Sequence, residues 1–369
     1  MSTGNQIKMR NTYALALLTG ALALLFFSTR GTVAQQQQQQ QPSTPAPQQQ
    51  QQQQQPAPAP PAPQTPQASP TPPATTEESG EPGDDEDAEV LRVSSNLVVV
   101  PVSVTDAKGQ PMMGLSASDF RLEEEGRVQE IAQVGDPEQV PLDIAILLDV
   151  SGSVDARFTF EQQAAAQFLK QVLKPVDRAT VFAIDASPRL EQTRATAEVA
   201  SAKLMTIGPA KGFTAFFDTV VEASQYLGRS APPQHRRVIV VISDGADMYS
   251  EKHKTLVSAL AEVQRAEAVF YSINPSGQTM HLNVMTKRGQ EGMQRIADAT
   301  GGTSFVPQRL EDLPAVFSQI AAELRSQYLL QYYSSDESTN GKFLRINVRV
   351  PARQQLRVRA RQGYYAKRR

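Results

Sequence analysis

At 369 residues the chain is long enough for two domains plus appendages, and its formal net charge of −2 selects no class of partner. Cysteine is absent, which excludes disulfides, thiol nucleophiles and cysteine-held zinc or iron–sulfur centres. The three histidines, His235, His253 and His281, are scattered, which argues against a histidine-built transition-metal site.

Residues 1–34 read as an export signal. Lys8 and Arg10 supply a basic start, 13–27 is a Leu/Ala-rich apolar run, and Thr32-Val33-Ala34 offers small residues before a cleavage point. A membrane span needs about 20 apolar residues, and Arg30 closes a shorter run. An uncleaved N-terminal anchor is the other reading of the same residues. Both put the body of the protein outside the cytoplasm: periplasmic, surface-bound or secreted.

Residues 35–89 form a tether. Glutamine tracts at 35–41 and 48–55 give way to Pro/Ala repeats, then to the acids Glu77, Glu78, Glu81, Asp84, Asp85, Glu86, Asp87 and Glu89. Such a segment cannot bury enough apolar surface to offset its ordering entropy. A wall-spanning spacer and a neutral repeat expansion both fit it.

Residues 90–140 are expected to form a small β-unit. The run 97–104 is β-branched, Asp106-Ala107-Lys108-Gly109 is a turn, and 120–122 and 128–131 alternate around Glu125-Gly126 as in a hairpin. From Leu142 the period changes. The runs 143–148, 180–184, 238–242 and 269–273 are almost wholly apolar, as strands buried on both faces should be. Helices are expected between and after them, at 196–207, 215–227, 256–267, 293–300 and 310–326. The first helix carries the stripe Phe160, Ala164, Phe168, Val172. A short edge strand is expected at 189–192 and another strand at 303–306. The alternation predicts an α/β domain over 141–326: a mostly parallel sheet with helices on both faces. The tail, 327–369, returns to β at 328–333, 343–350 and 356–360, with Asn340-Gly341 as a hairpin signal. This tail is expected to pack with 90–140, making the α/β domain an insertion.

Asp149-Val150-Ser151-Gly152-Ser153 leaves the first buried strand, Thr214 stands just before a helix, and Asp244 leaves the strand 238–242. In open α/β sheets ligands bind outside the carboxyl ends of the strands. Five hard-oxygen side chains gathered there suit Mg²⁺ or Mn²⁺, and Mg²⁺ takes near-octahedral oxygen coordination at about 2.0–2.1 Å. Two carboxylates nearly neutralise such an ion and leave room for an incoming carboxylate.

The set Asp149-x-Ser151-x-Ser153, Thr214 and Asp244 resembles the metal-ion-dependent adhesion site of von Willebrand factor A domains. The runs Phe213-Thr214-Ala215-Phe216-Phe217-Asp218 and Ser243-Asp244-Gly245 are similar to that family's threonine loop and fourth-strand turn. The resemblance covers about 142–326. It implies a Rossmann-like fold and a divalent cation held by those five residues, with Thr214 binding directly and the aspartates partly through water. It further implies a protein partner presenting Asp or Glu. Phe213 stands where relatives often have glycine. The β-segments and leader resemble exported A-domain-related proteins of Acidobacteria, a likeness that carries no common activity. Phe213, Asp185 and Asp247 are candidates for a partner-binding rim, Asp218 reads as a helix-start residue, and at least one of Phe216 and Phe217 is expected in the core.

The tail is basic: Lys342, Arg345, Arg349, Arg353, Arg357, Arg359, Arg361, Lys367, Arg368 and Arg369 have no acids between them on these strands. Contact with an anionic envelope surface is one reading, a solvated sheet face the other. Export and the lack of an aromatic platform argue against nucleic acid. Catalysis is not expected. A phosphoryl-accepting aspartate usually has a second Asp two residues on, where this chain has Ser151, and no Gly-x-Ser-x-Gly elbow, phosphate loop or His-Glu-x-x-His is present. Adhesion-type binding and a structural envelope scaffold remain as the two functional readings.

Overall fold

The computed structural model describes residues 97–151, 156–210, 212–277, 284–336 and 340–366. The expected leader, the tether, residues 90–96, Ser153, Lys367, Arg368 and Arg369 lie outside the described residues. In chain order, β1 (Leu97–Thr105), β2 (Arg121–Glu124), β3 (Arg127–Gln129) and β4 (Ile131–Gly135) precede the α/β layer. That layer runs through β5 (Leu142–Asp149), α1 (Ala156–Val172), β6 (Arg178–Ile184), β7 (Pro188–Ala195), α2 (Ala197–Leu204), α3 (Phe216–Ser230), β8 (Arg236–Ile242), α4 (Leu256–Arg265), β9 (Ala268–Ile273), α5 (Val284–Thr300), β10 (Ser304–Phe305) and α6 (Leu313–Ser326). The chain closes with β11 (Tyr328–Tyr333), β12 (Phe343–Arg349), β13 (Arg357–Ala360) and β14 (Gly363–Tyr365). Among the described residues no helix is long and apolar enough to cross a membrane.

The central sheet has the order β10-β9-β8-β5-β6-β7, parallel except for the edge strand β7. Its strands are apolar throughout because both faces are covered. On β5, Ile144, Ile146 and Leu148 pack with α1, α2 and α6, while Ala145 and Leu147 pack with α3, α4 and α5. The edge strand spans Pro188–Ala195, longer than its sequence suggests, and carries Arg189, Glu191 and Arg194. Charge on an exposed edge discourages pairing with another chain. Helix α5 begins at Val284, well before the expected 293, because Gly289 and Gly292 read as helix breakers. Gly289 is needed for close packing instead, while Gly292 is only in ordinary contact range of a neighbour. A Cβ on Gly289 would meet the backbone of Gly245 at 2.4 Å, and one on Gly292 would touch Leu256.

The strands on either side of the α/β layer combine into two four-stranded antiparallel sheets, β13-β1-β11-β4 and β14-β12-β2-β3. They share one core that includes Val100, Val102, Leu122, Tyr332, Leu344 and Ile346. Asn340-Gly341 does not close a two-stranded hairpin. β11 and β12 belong to different sheets, so the turn, with Gly341 at φ 75, is a crossing between sheets. The tail arginines are also less free than their sequence suggests. Arg345 pairs with Glu125, Arg349 with Glu123, Arg359 with Glu323 and Arg361 with Glu267. Arg345, Asn347 and Arg349 occupy the exposed face of β12, whereas Arg361 is buried.

One side chain joins the inbound and outbound strands of the α/β layer. Arg236, at the start of β8, donates to the Pro137 carbonyl at 2.9 Å on the inbound side. On the outbound side it donates to the Leu324 carbonyl at 2.7 Å and to Gln327 Oε1 at 3.3 Å. Burial lowers its pKa from 12.5 to about 10, so it stays charged at neutral pH. A hydrogen bond to a charged group contributes about 1.5–3 kcal/mol. Arg236→Met is therefore expected to lower stability in urea unfolding by about 2–4 kcal/mol. A loss near zero would show that the clamp does not hold the two segments.

Candidate metal centre

Strand order decides where a site can open. From β5 the chain moves to β6 on one side and later to β8 on the other, and in such sheets ligands bind beyond the carboxyl ends at this switch, here those of β5 and β8. Asp149 ends β5, and Ser243 and Asp244 directly follow β8.

Asp149 is held on both oxygens. Oδ1 accepts the Ser151 backbone N–H at 3.0 Å and the Ser151 hydroxyl at 2.6 Å, and Oδ2 accepts the Ser243 hydroxyl at 2.6 Å. Ser243 in turn accepts the Gly245 N–H at 2.9 Å. Asp244 Oδ1 accepts the Ala246 N–H at 2.9 Å, and Oδ2 lies 3.4 Å from the donating hydroxyl of Thr286 on α5. Burial pushes the Asp149 carboxyl above its ordinary 3.8. The hydrogen bonds from Ser151 and Ser243 oppose this, and the negative charge of Asp244 adds to it. Among the described residues no Lys, Arg or His forms an ion pair with either carboxylate.

Thr214 is buried. Its hydroxyl donates to the Ala246 carbonyl at 2.6 Å, and its own carbonyl accepts from Met248 and Tyr249 N–H, both at 3.0 Å. The next residue, Ala215, donates its N–H to the Asp185 carbonyl at 2.8 Å. The Thr214 loop is thus tied to the turn after β8 and to the end of β6. Asp149, Ser151 and Asp244 are brought together, Thr214 is bonded to the Asp244 turn, and Ser153 lies outside the described residues.

The rim candidates divide. Phe213 is exposed beside the site. Asp185 is engaged by Arg189 at 2.7 Å and by the Ala186 N–H at 2.7 Å. Asp247 is turned to the N-terminus of α3: it accepts the Phe217 N–H at 3.2 Å and the Ser250 hydroxyl at 2.5 Å. It serves the start of that helix, because orphan N–H groups there recruit nearby carboxylates. Asp218, in the first turn of α3, accepts backbone N–H groups of Glu251, Lys252 and His253 and anchors that loop. Phe216 is buried and Phe217 partly so. Ser243 and Thr286 were not singled out from the sequence. Ser243 sits in a recognisable turn run, whereas Thr286 comes from a distant helix start and has no local signal.

The residues present fit a hard divalent cation. Two carboxylates and several hydroxyls converge, among the described residues no positive side chain pairs with them, and such donors suit Mg²⁺ or Mn²⁺. Among the described residues no cluster of three His, Cys, Asp or Glu could hold a metal. A cation at this place therefore depends on hydroxyl oxygens.

Residues 144–246 match the sequence profile of the von Willebrand factor type A domain. No curated protein matches the chain. Among solved structures, a von Willebrand factor type A protein from Catenulispora acidiphila is similar at 16% identity, over 63% of this chain and 51% of that one, with a TM-score of 0.42. The PilB minor pilin from Streptococcus sanguinis is similar at 14% identity, over 51% of this chain and 62% of that one, with a TM-score of 0.41. Proximal thread matrix protein 1 from the mussel byssus, with a zinc-occupied MIDAS motif, is similar at 14% identity, over 55% and 49%, with a TM-score of 0.41. The matches thus cover about half to three fifths of the lengths of these structures.

The Asp244 turn rests on Gly245, at φ 74, against Gly289. Overpacking costs about 1–3 kcal/mol, whereas Gly to Ala in a helix gains about 1 kcal/mol. Gly289→Ala is expected to be net destabilising and to weaken metal affinity, read by thermal unfolding and metal titration. The raised Asp149 carboxyl has a defined sign. The stability it contributes is present below 3.8 and lost as pH rises through the higher folded-state value. In chelator near neutral pH, Asp149→Asn should therefore unfold at or above the wild-type temperature, and in millimolar Mg²⁺ it should fall below it. A variant less stable than wild type in chelator would contradict this.

Proposed function

We propose, from the premise that residues 144–246 form a von Willebrand factor type A domain, that the protein is an exported, metal-dependent binding module. In this reading Asp149, Ser151, Ser153, Thr214 and Asp244 hold Mg²⁺ or Mn²⁺, and the cation accepts a carboxylate from an Asp or Glu of a protein partner. The bound cation would supply positive charge and an exchangeable coordination position. The chain's own residues supply the rest: Ser243 orients Asp149, and the Ala246 carbonyl orients the Thr214 hydroxyl. The observation that carries the reading is the pair of carboxylates at the switch in strand order, bonded to hydroxyls and, among the described residues, paired with no positive side chain. Export rests on the leader at 1–34.

A second reading, a structural envelope scaffold, is favoured by one specific feature. Both Asp149 oxygens already accept hydroxyls, so the site is satisfied internally. Thermal unfolding of the full chain in chelator and in Mg²⁺ or Mn²⁺, beside Asp149→Ala, separates the two. A ligand at 100 times its dissociation constant stabilises by about 2.7 kcal/mol. In a domain of this size that is a shift on the order of 5–10 °C. The shift is expected in the wild type and absent in Asp149→Ala. No shift in either protein at millimolar cation would leave the scaffold reading.

A further inference from the structure

The surface beside the metal centre is apolar. Phe213, next to Thr214, is 56% exposed, and Tyr249 and Met248 are 48% and 47% exposed. The rings of Phe213 and Tyr249 lie parallel, 5° apart in plane and 5.7 Å between centroids. The pair stands on a fixed backbone. Met248 and Tyr249 both donate to the Thr214 carbonyl, and Asp218 holds the following three N–H groups. Val284 is 64% exposed two residues before Thr286, which reaches Asp244. Exposed aromatic surface held rigidly around a polar centre is how binding hot spots are built, since a fixed ring loses little entropy on docking.

The surface continues past Tyr249 into a groove of about 310 Å³ between the β6–β7 turn, the exposed face of α3 and the loop after β8. Pro188, Val221 and Tyr249 give it apolar walls, and Arg229 and Lys252 line it. Neither cation has an ion pair among the described residues. Three acids also line the groove, and one of them, Asp218, is consumed by backbone N–H groups, leaving Glu222 and Glu251. The charge is mixed, so the groove suits a polar peptide better than a polyanion.

We infer that the partner is a protein segment in which the metal-binding Asp or Glu lies next to an aromatic or large aliphatic residue. That neighbour stacks on Phe213 and Tyr249, and the adjoining residues enter the groove. The inference rests on the metal-dependent reading above, and three features of the site favour this occupant. The carboxylate complements a cation at Asp149 and Asp244, the aromatic pair adjoins Thr214 directly, and Tyr249 is shared by the pair and the groove.

The test probes the full chain with an array of short random-sequence peptides in millimolar Mg²⁺ and in chelator, beside the double variant Phe213→Ser, Tyr249→Ser. Both substituted side chains are exposed, so the variant should fold, and its Mg²⁺-dependent thermal shift should match the wild type. Wild-type capture is expected to require Mg²⁺ and to favour peptides with an acid beside an aromatic or large aliphatic residue. The variant should bind those peptides at least tenfold more weakly and lose the preference. Metal-dependent capture of acidic peptides with no such preference, or a preference unchanged in the variant, would overturn the inference while leaving the metal reading intact. A wild type with no Mg²⁺ shift and metal-independent capture would overturn both. A synthetic peptide of residues 77–89 that displaces every other binder would make the chain's own acidic run the occupant and overturn a foreign partner.

Discussion

Two stretches of chain must pass between the β-strands and the α/β layer side by side, and the charged guanidinium of Arg236 holds both. Its carbonyl partners lie on the inbound turn and at the end of α6. An inserted domain must begin and end at one place, and this contact fixes that place at the amino end of β8. A second buried network widens the junction. Glu323 of α6 accepts the hydroxyls of Ser103 on β1 and Tyr271 on β9 and pairs with Arg359 on β13. Gly301 allows the strand bearing Arg361 to approach, since a Cβ there would meet Ala360 at 2.8 Å. The candidate metal centre lies at the carboxyl ends of the strands, the opposite end of β8 from Arg236.

The chain buries carboxylates in two ways, and the contrast explains which one can act. Glu124, inside the β-sandwich, accepts the hydroxyls of Tyr332 at 2.5 Å, Ser334 at 2.6 Å and Tyr364 at 2.9 Å. Burial together with the bond to Glu124 raises both tyrosines, Tyr364 to about 12, so they stay protonated donors. Hydrogen bonds to charged groups are each worth about 1.5–3 kcal/mol, and three such donors offset a buried charge. Asp149 receives similar hydroxyls from Ser151 and Ser243, but it faces a second carboxylate across an open crevice. Like charges brought together in a place of reduced dielectric ask for a cation. Glu124 has three hydroxyl donors, whereas Asp149 has two hydroxyl donors and the charge of Asp244 nearby.

Legibility in the sequence followed burial. β5, β6, β8 and β9 are apolar on both faces and readable without context, and the helices between them follow from spacing. Alternation in the outer strands reported which face was buried but not which neighbour was paired. That is why Asn340-Gly341 read as a hairpin while β11 and β12 went to separate sheets. The front of α5 contains Gly289, whose close contact with the Asp244 turn exists only in three dimensions. The basic tail misled for a similar reason: the acids that face it lie on β2, the β2–β3 turn, α6 and the residue before β9, far away in sequence. At the candidate site, Asp149, Ser151 and Asp244 stood in short runs, whereas Thr286 arrives from a helix with no such mark.

Rigidity around the crevice bears on selectivity. Asp247 and Asp218 use their charge on backbone N–H groups at the start of α3 and in the loop behind it. This removes two acids that would otherwise compete for a cation, and it stiffens the loop that carries Tyr249. Gly245 against Gly289 does the same for Asp244. A donor set held this way loses little freedom when a cation or a carboxylate arrives, so more of the interaction free energy remains for affinity. A lone carboxylate carries almost no identity, because every Asp and Glu presents the same group. In the proposed reading, discrimination would come from what surrounds the cation, and the exposed, stacked pair of rings beside Thr214 is the feature that could supply it.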